Sequence, residues 1–154
     1  MRVISHRANL QGSDNLYENT PQNIQKSTNA GYLTEIDIWC IGGLIYLGHD
    51  YPRYKIEESF ITGRNSLLLL HSKNAECSQW LVNTNYHWFS HQTDDLAFTS
   101  KGFLIIMPNR PIIASPKTIV MLPELNNIMP NIVDNDIYGI CTDYVENYID
   151  TIPT

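Results

Sequence analysis

Apolar positions along this chain come in short runs, each closed by a glycine, a proline or a polar cluster. Val3–Ser5 reads as a short strand and residues 8–19 as a polar loop. Thr20-Pro21 then reads as a helix start, with Thr20 as N-cap and Pro21 in the first helical position. This helix runs to about Ala30, where Gly31 stops it. Leu33–Trp39 alternates as a strand does, Gly42-Gly43 marks a tight turn, and Leu44–Leu47 is the returning strand. Residues 51–65 are polar, with a helical turn expected near Glu57–Ile61. Ser66–Leu70 carries four consecutive leucines, the pattern of a strand buried on both faces. Asn74 caps a helix over Ala75–Val82.

The second half is poorer in helix. Tyr86–Ser90, Phe103–Met107, Ile119–Leu122 and Tyr138–Cys141 read as strands, the last leading into a short helical tail. Pro108, Pro111, Pro116, Pro123 and Pro130 make the connections there loops. Strand–helix–strand order with buried strands predicts an α/β fold with a mostly parallel sheet. A full eightfold barrel takes about 250 residues. The 154 residues of this chain therefore predict a reduced or distorted TIM-type (β/α) barrel, with some outer helices replaced by loops, as a single domain over residues 1–154.

Composition narrows the partners. With 43% hydrophobic and 17% charged residues, the chain is globular rather than disordered. A net charge of −6 argues against a nucleic-acid backbone as the main ligand, but leaves room for a small anion held by a few cations in a cleft. Cys40, Cys77 and Cys141 are odd in number and widely spaced, so they read as reduced thiols packed as small apolar groups. Met1-Arg2 runs straight into Val3-Ile4, with no apolar signal region and no membrane-spanning run, so the expectation is a cytoplasmic protein. A reduced barrel leaves sheet edges or apolar faces uncovered, which makes a homodimer plausible.

The chemistry concentrates near the N-terminus. Glu35 and Asp37 lie two apart in a strand otherwise built from Ile36, Ile38 and Trp39, so they share one face. Two carboxylates buried together repel each other, and a divalent cation would resolve that cost. The alternative is an exposed strand face with solvated acids. His6-Arg7 follows the first strand, offering an imidazole for acid or base work and a guanidinium that fits phosphate oxygens; a plain surface pair is the alternative. His49-Asp50 closes the Gly42-Gly43 hairpin with a second imidazole.

Taken in order, His6-Arg7, Glu18-Asn19-Thr20, Glu35-x-Asp37 and His49-Asp50 resemble the N-terminal signature of the glycerophosphodiester phosphodiesterase family. That family reads His-Arg-Gly, Glu-Asn-Thr before a helix, Glu-x-Asp on the second strand and His-Asp after a hairpin. Gly139-Ile140-Cys141-Thr142-Asp143 also looks like the family's last strand. The resemblance is specific over residues 3–50, recurs at 67–73 and 138–144, and is faint between. It implies a TIM-type barrel and a calcium- or magnesium-dependent phosphodiesterase. His6 and His49 would be the acid/base pair, Arg7 and Lys73 would hold the phosphate, and Glu35 and Asp37 would bind the metal. The substrate would be a small phosphodiester, such as a glycerophosphodiester or a related lipid or sugar phosphate.

Two departures qualify this. Ala8 stands where the family has glycine, which is tolerable if the turn there keeps φ below zero. Leu70-His71-Ser72-Lys73 keeps the family's lysine but puts His71 in place of a metal-binding glutamate. Imidazole suits a transition metal better than calcium, so His71 either changes the metal or weakens its binding. The second outcome would leave a catalytically weak protein that binds phosphate ligands on the same fold. The form Leu-His-x-Lys-Asn, with Trp88-Phe89-x-His91 and Thr99-Ser100-Lys101-Gly102, looks like a short bacterial branch related to the family. His91 reads as a loop cap or a further site residue, and Glu124 as a candidate for the missing carboxylate. The stripe Tyr86, Trp88, Phe89 reads as core.

Overall fold

The computed structural model describes residues 1–125 and 136–148. Its elements are β1 (Arg2–Ser5), α1 (Pro21–Asn29), β2 (Leu33–Ile41), β3 (Leu44–Leu47), β4 (Tyr54–Ile56), α2 (Glu58–Thr62), β5 (Leu68–Ser72), α3 (Ala75–Leu81), β6 (Trp88–Ser90), β7 (Leu96–Phe98), β8 (Leu104–Ile106), β9 (Ser115–Met121) and β10 (Ile137–Thr142). The ends of the first helix follow from local chemistry. Thr20 Oγ1 accepts from Asn23 N at 3.2 Å, and Gly31 leaves the helix at φ +86°. Asn74 Oδ1 accepts from Cys77 N at 3.1 Å at the start of α3.

All ten strands form one mixed sheet, ordered β4-β3-β2-β1-β10-β9-β8-β7, with β5 on β2 and β6 on β5. The pairs β1/β2, β1/β10, β9/β10, β8/β9, β2/β5 and β5/β6 are parallel. The pairs β2/β3, β3/β4 and β7/β8 are antiparallel. The nine residues of β2 serve three neighbours: Leu33–Thr34 pair with β1, Thr34–Ile38 with β5, and Ile38–Ile41 with β3.

This sheet corrects the expected fold class. It is a curled half-barrel of strands with three short helices, not an alternating (β/α) barrel with some helices trimmed. The physical reason lies in the connections. A parallel crossover takes about a dozen residues or more. Residues 99–103 between β7 and β8 are too few, so β8 turns back as the antiparallel partner of β7. Between β8 and β9 the chain passes through Pro108 and Pro111 as a loop. The expected loop at Pro130 and the end of the helical tail lie outside the described residues; Val145–Asn147 forms one 3-10 turn.

The leucine run behaves as its pattern predicts. Leu68 and Leu70 pack into one apolar cluster with Ile24, Ile36 and Leu81, and Leu69 into another with Ile4, Phe89 and Ile119. Burial on both faces follows from helices covering one side of β5 and the concave interior filling the other. Tyr86 and Phe89 are buried in separate apolar clusters, with Trp88 packed against that of Tyr86, and all three cysteines are buried free thiols. Among the described residues no helix is long and apolar enough to cross a membrane.

Candidate metal and anion site

Parallel pairing of β1, β2, β5 and β10 brings the carboxyl ends of these strands to one side of the sheet. His6 and Arg7 follow β1, Glu35 and Asp37 lie within β2, His71 lies near the end of β5 and Lys73 just beyond it, and Asp143 follows β10. Glu35 and Asp37 are buried, not on a solvated face. The register places Asp37 opposite His71, and Glu35 opposite Leu69. His71 Nδ1 comes to 2.9 Å from Asp37 Oδ1 and 3.7 Å from Glu35 Oε1. One donor atom from each of Glu35, Asp37 and His71 lies within 4.8 Å of the others, so the expected ligand set converges.

The surroundings fix the ring and the acids. His71 Nε2 reaches the His91 carbonyl at 3.4 Å, and the ring stacks on Phe89 at 4.4 Å between centroids. A carbonyl only accepts, so the His91 contact suits a proton on Nε2; with Nδ1 unprotonated, a lone pair would face the two carboxylates, as a metal ligand requires. Asp37 Oδ1 is buried, with His71 Nδ1 at 2.9 Å and Lys73 Nζ at 3.4 Å but no well-formed hydrogen bond from either. Two carboxylate oxygens converging on one imidazole nitrogen are stable only around a proton or a cation, and Lys73 supplies part of that charge from one side. Burial, reinforced by the charge of Asp37, pushes the Glu35 pKa up and so favours a proton there. For Asp37, burial opposes ionisation, but the contact with His71 and the charges of Lys73 and Arg7 outweigh it and hold the pKa well below the carboxylate range. The residues present therefore fit a divalent cation, with one nitrogen and two oxygen donors.

The cations contact these acids as well. Arg7 Nε lies 3.3 Å from Asp37 Oδ2, Arg7 NH1 lies 3.3 Å from Glu18 Oε1, and Lys73 Nζ lies 3.4 Å from Asp37 Oδ1. Arg7 N also donates to Glu35 Oε2 at 3.1 Å. That bond needs the backbone to turn left-handed: Arg7 has φ +50° and Ala8 φ +65°. The condition set for Ala8 is thus not met, and a buried alanine occupies a conformation that favours glycine.

His6 is buried and hydrogen-bonded through Nδ1 to Asp143 Oδ1 at 2.7 Å. Burial alone would lower its pKa, but the bond to Asp143 and the charges of Glu35 and Asp143 raise it above the usual histidine value. His49 differs. It is half-buried, with Nδ1 2.8 Å from Asp50 Oδ1, and burial lowers its pKa. His49 lines a cleft of about 670 Å³ together with Lys73, Asn74, Ser90 and His91.

Three site residues had no role assigned from sequence. Asp143 orients His6 and also accepts from Asn9 Nδ2 at 2.8 Å. Asn19 clamps Asp37 from both sides, with Nδ2 donating to Asp37 Oδ2 at 2.8 Å and Asp37 N donating to Asn19 Oδ1 at 2.9 Å. Glu18 pairs with Arg7. All three stand in the motifs that carry the resemblance, which was the available signal. Glu124, the candidate replacement carboxylate, lies elsewhere: it accepts from Asp143 N at 2.9 Å and Thr142 Oγ1 at 3.0 Å, closing the end of β10. His91 Nε2 bonds the Asp94 carbonyl at 2.6 Å, a loop cap whose own carbonyl receives His71. No family model, curated protein or solved structure matches this chain.

Proposed function

We propose that this protein is a metal-dependent phosphodiesterase, hydrolysing a small phosphodiester in the manner of the glycerophosphodiester phosphodiesterases its motifs resemble. The observation that carries the reading is the buried Glu35–Asp37–His71 cluster, whose facing oxygens and nitrogen call for a cation. Glu35, Asp37 and His71 would hold the ion, which supplies Lewis-acid polarisation of a phosphoryl oxygen when bound. One imidazole with two carboxylates suits manganese or zinc better than calcium.

The chain's own groups divide the proton work. The two histidines have environments that push their pKa values in opposite directions, which supports His6 as the acid and His49 as the base. His6, with Nδ1 held by Asp143, keeps a proton on Nε2 and gives it to the leaving alkoxide. His49, with Nδ1 on Asp50, uses its Nε2 lone pair to take a proton from water as the water oxygen attacks phosphorus. The phosphorus–oxygen bond to the alcohol breaks, leaving a phosphomonoester and an alcohol. Arg7 and Lys73 are the cations beside Asp37, available to the non-bridging oxygens.

The test is hydrolysis of bis(p-nitrophenyl) phosphate with manganese, zinc, magnesium or calcium, with and without chelator. Expected are chelator-sensitive activity and a loss of about a hundredfold or more in His6→Ala and Asp37→Ala. Absence of turnover with every ion, or turnover that survives chelation and Asp37→Ala, refutes the reading. A second reading, a binding protein with little turnover, is favoured by the ion pairs that Arg7 and Lys73 already make with Asp37, since these compete with a metal. It predicts binding of inorganic phosphate in equilibrium dialysis without hydrolysis. A cytoplasmic location remains our proposal, with a homodimer as the plausible assembly of a sheet with uncovered edges; light scattering at the monomer mass would remove the dimer.

A further inference from the structure

Four large apolar side chains stand out of the loops that surround the candidate site. Leu16 is 69% exposed, Tyr17 58%, Tyr51 58% and Tyr144 39%. They come from three segments that follow β1, β3 and β10, and these segments touch. Gly12 N donates to the Asp143 carbonyl at 2.8 Å, and a side chain at Gly12 would meet the Tyr144 ring at 3.2 Å. Arg53 NH1 donates to the Asn15 carbonyl at 3.1 Å. The result is one continuous rim next to His49 and the dyad of His6 and Asp143.

The charge on this rim has a pattern. Each tyrosine has an exposed acidic residue within three positions of it in sequence: Asp14 with Tyr17, Asp50 with Tyr51, and Glu146 with Tyr144. Among the described residues, Arg7 and Arg53 are the cations on these loops: Arg7 turns to Glu18 and Asp37, and the Arg53 guanidinium lies over the Tyr54 ring and on the Asn15 carbonyl, while Lys26 of α1 lines the hollow that holds Asp14 and Tyr17. Aromatic faces beside carboxylates suit quaternary ammonium groups, and tyrosines seat well at a headgroup layer. A phosphatidylcholine surface presents trimethylammonium groups outermost over an apolar layer. An anionic surface would be repelled by Asp14, Asp50 and Glu146, in a chain whose net charge is −6.

We propose that this rim docks on a zwitterionic, choline-bearing lipid surface, so that the cleft meets phosphodiester groups presented there. The choice of substrate source rests on the phosphodiesterase reading; the docking itself does not require turnover. The test is co-sedimentation of the full chain with phosphatidylcholine vesicles and, separately, phosphatidylglycerol vesicles. Expected is binding to the first and at least tenfold weaker binding to the second. The variant Leu16→Ser/Tyr17→Ser/Tyr51→Ser, shown to be folded by circular dichroism, should need at least tenfold more phosphatidylcholine for half-binding. Its hydrolysis of water-soluble bis(p-nitrophenyl) phosphate should be unchanged. Four results overturn the inference: no binding to phosphatidylcholine, equal or stronger binding to phosphatidylglycerol, wild-type binding by the variant, or self-association abolished by the same substitutions. Failure of the soluble phosphodiester assay alone sinks the phosphodiesterase reading and leaves vesicle binding to decide the docking.

Discussion

Replacing Asp143 by asparagine separates the charge of the His6 partner from its shape. In the native protein His6 Nδ1 and Asp143 Oδ1 are 2.7 Å apart, with side chains only 9% and 13% exposed. A hydrogen bond to a charged group in such a setting contributes about 1.5–3 kcal/mol, and an amide in the same place recovers only the smaller neutral bond. With solvent reaching Asp143, the expected loss is about 1.5 kcal/mol near pH 5.5, or roughly 1 M in the urea midpoint. The sign with pH follows from the two shifts. His6 has a raised pKa, so its contribution is full below its ordinary value of 6.5 and is lost as pH rises through the raised one. Asp143 has a lowered pKa: burial opposes the shift, but the His6 bond and charge outweigh it. Its contribution is present above 3.8 and is lost as pH falls through the lowered value. The charged pair is therefore worth most between these limits, and the cost of Asp143→Asn should shrink toward about pH 9. Urea unfolding at both pH values, with an NMR titration of His6, reads this directly. A cost that is equal or larger at high pH, or a His6 pKa that does not fall in the variant, would refute the argument.

Two further substitutions test the ground beneath the site. Asn19→Ala removes both bonds that clamp buried Asp37 and puts alanine at φ +57°, so thermal denaturation should show a loss of about 3 kcal/mol, with metal affinity falling in calorimetry. Ala8→Gly relieves about 1 kcal/mol of left-handed strain but uncovers about as much by losing a buried methyl, so stability should barely change. Ala8→Val at the same buried turn should cost more than 2 kcal/mol, roughly, by adding volume and a β-branch at positive φ. If valine were tolerated as well as glycine, the turn could not be as constrained as its dihedral angles require.

Much of the first half was legible because its signals are local. Thr20-Pro21 and Gly31 bound α1, Gly42-Gly43 makes the hairpin, and Leu68–Leu70 form a strand buried on both faces, each set by a few neighbouring residues. The paired positions of Glu35 and Asp37 were legible for the same reason, since a strand repeats every two residues. What failed was the architecture. Strand β7 is three residues long, too short for a periodic signal, so β8, legible as a strand over Phe103–Met107, gave no sign that it turns back antiparallel against it.

The sequence by itself determined the chemical inventory: two histidines, an acidic pair, the Arg7 and Lys73 cations, and the strand pattern that turns Glu35 and Asp37 to one side. Tertiary structure decided how these groups are used. His71 meets Asp37 because β5 lies in register beside β2, and Asp143 meets His6 across 137 positions because β10 closes against β1. Only that proximity, in a buried setting where charges are weakly screened, drives the His6 and Asp37 pKa values away from their ordinary range and leaves Asp37 Oδ1 without a well-formed hydrogen bond. Spacing along a chain sets which faces side chains share, but the distance between charges, and hence their energy, exists only once the sheet has curled.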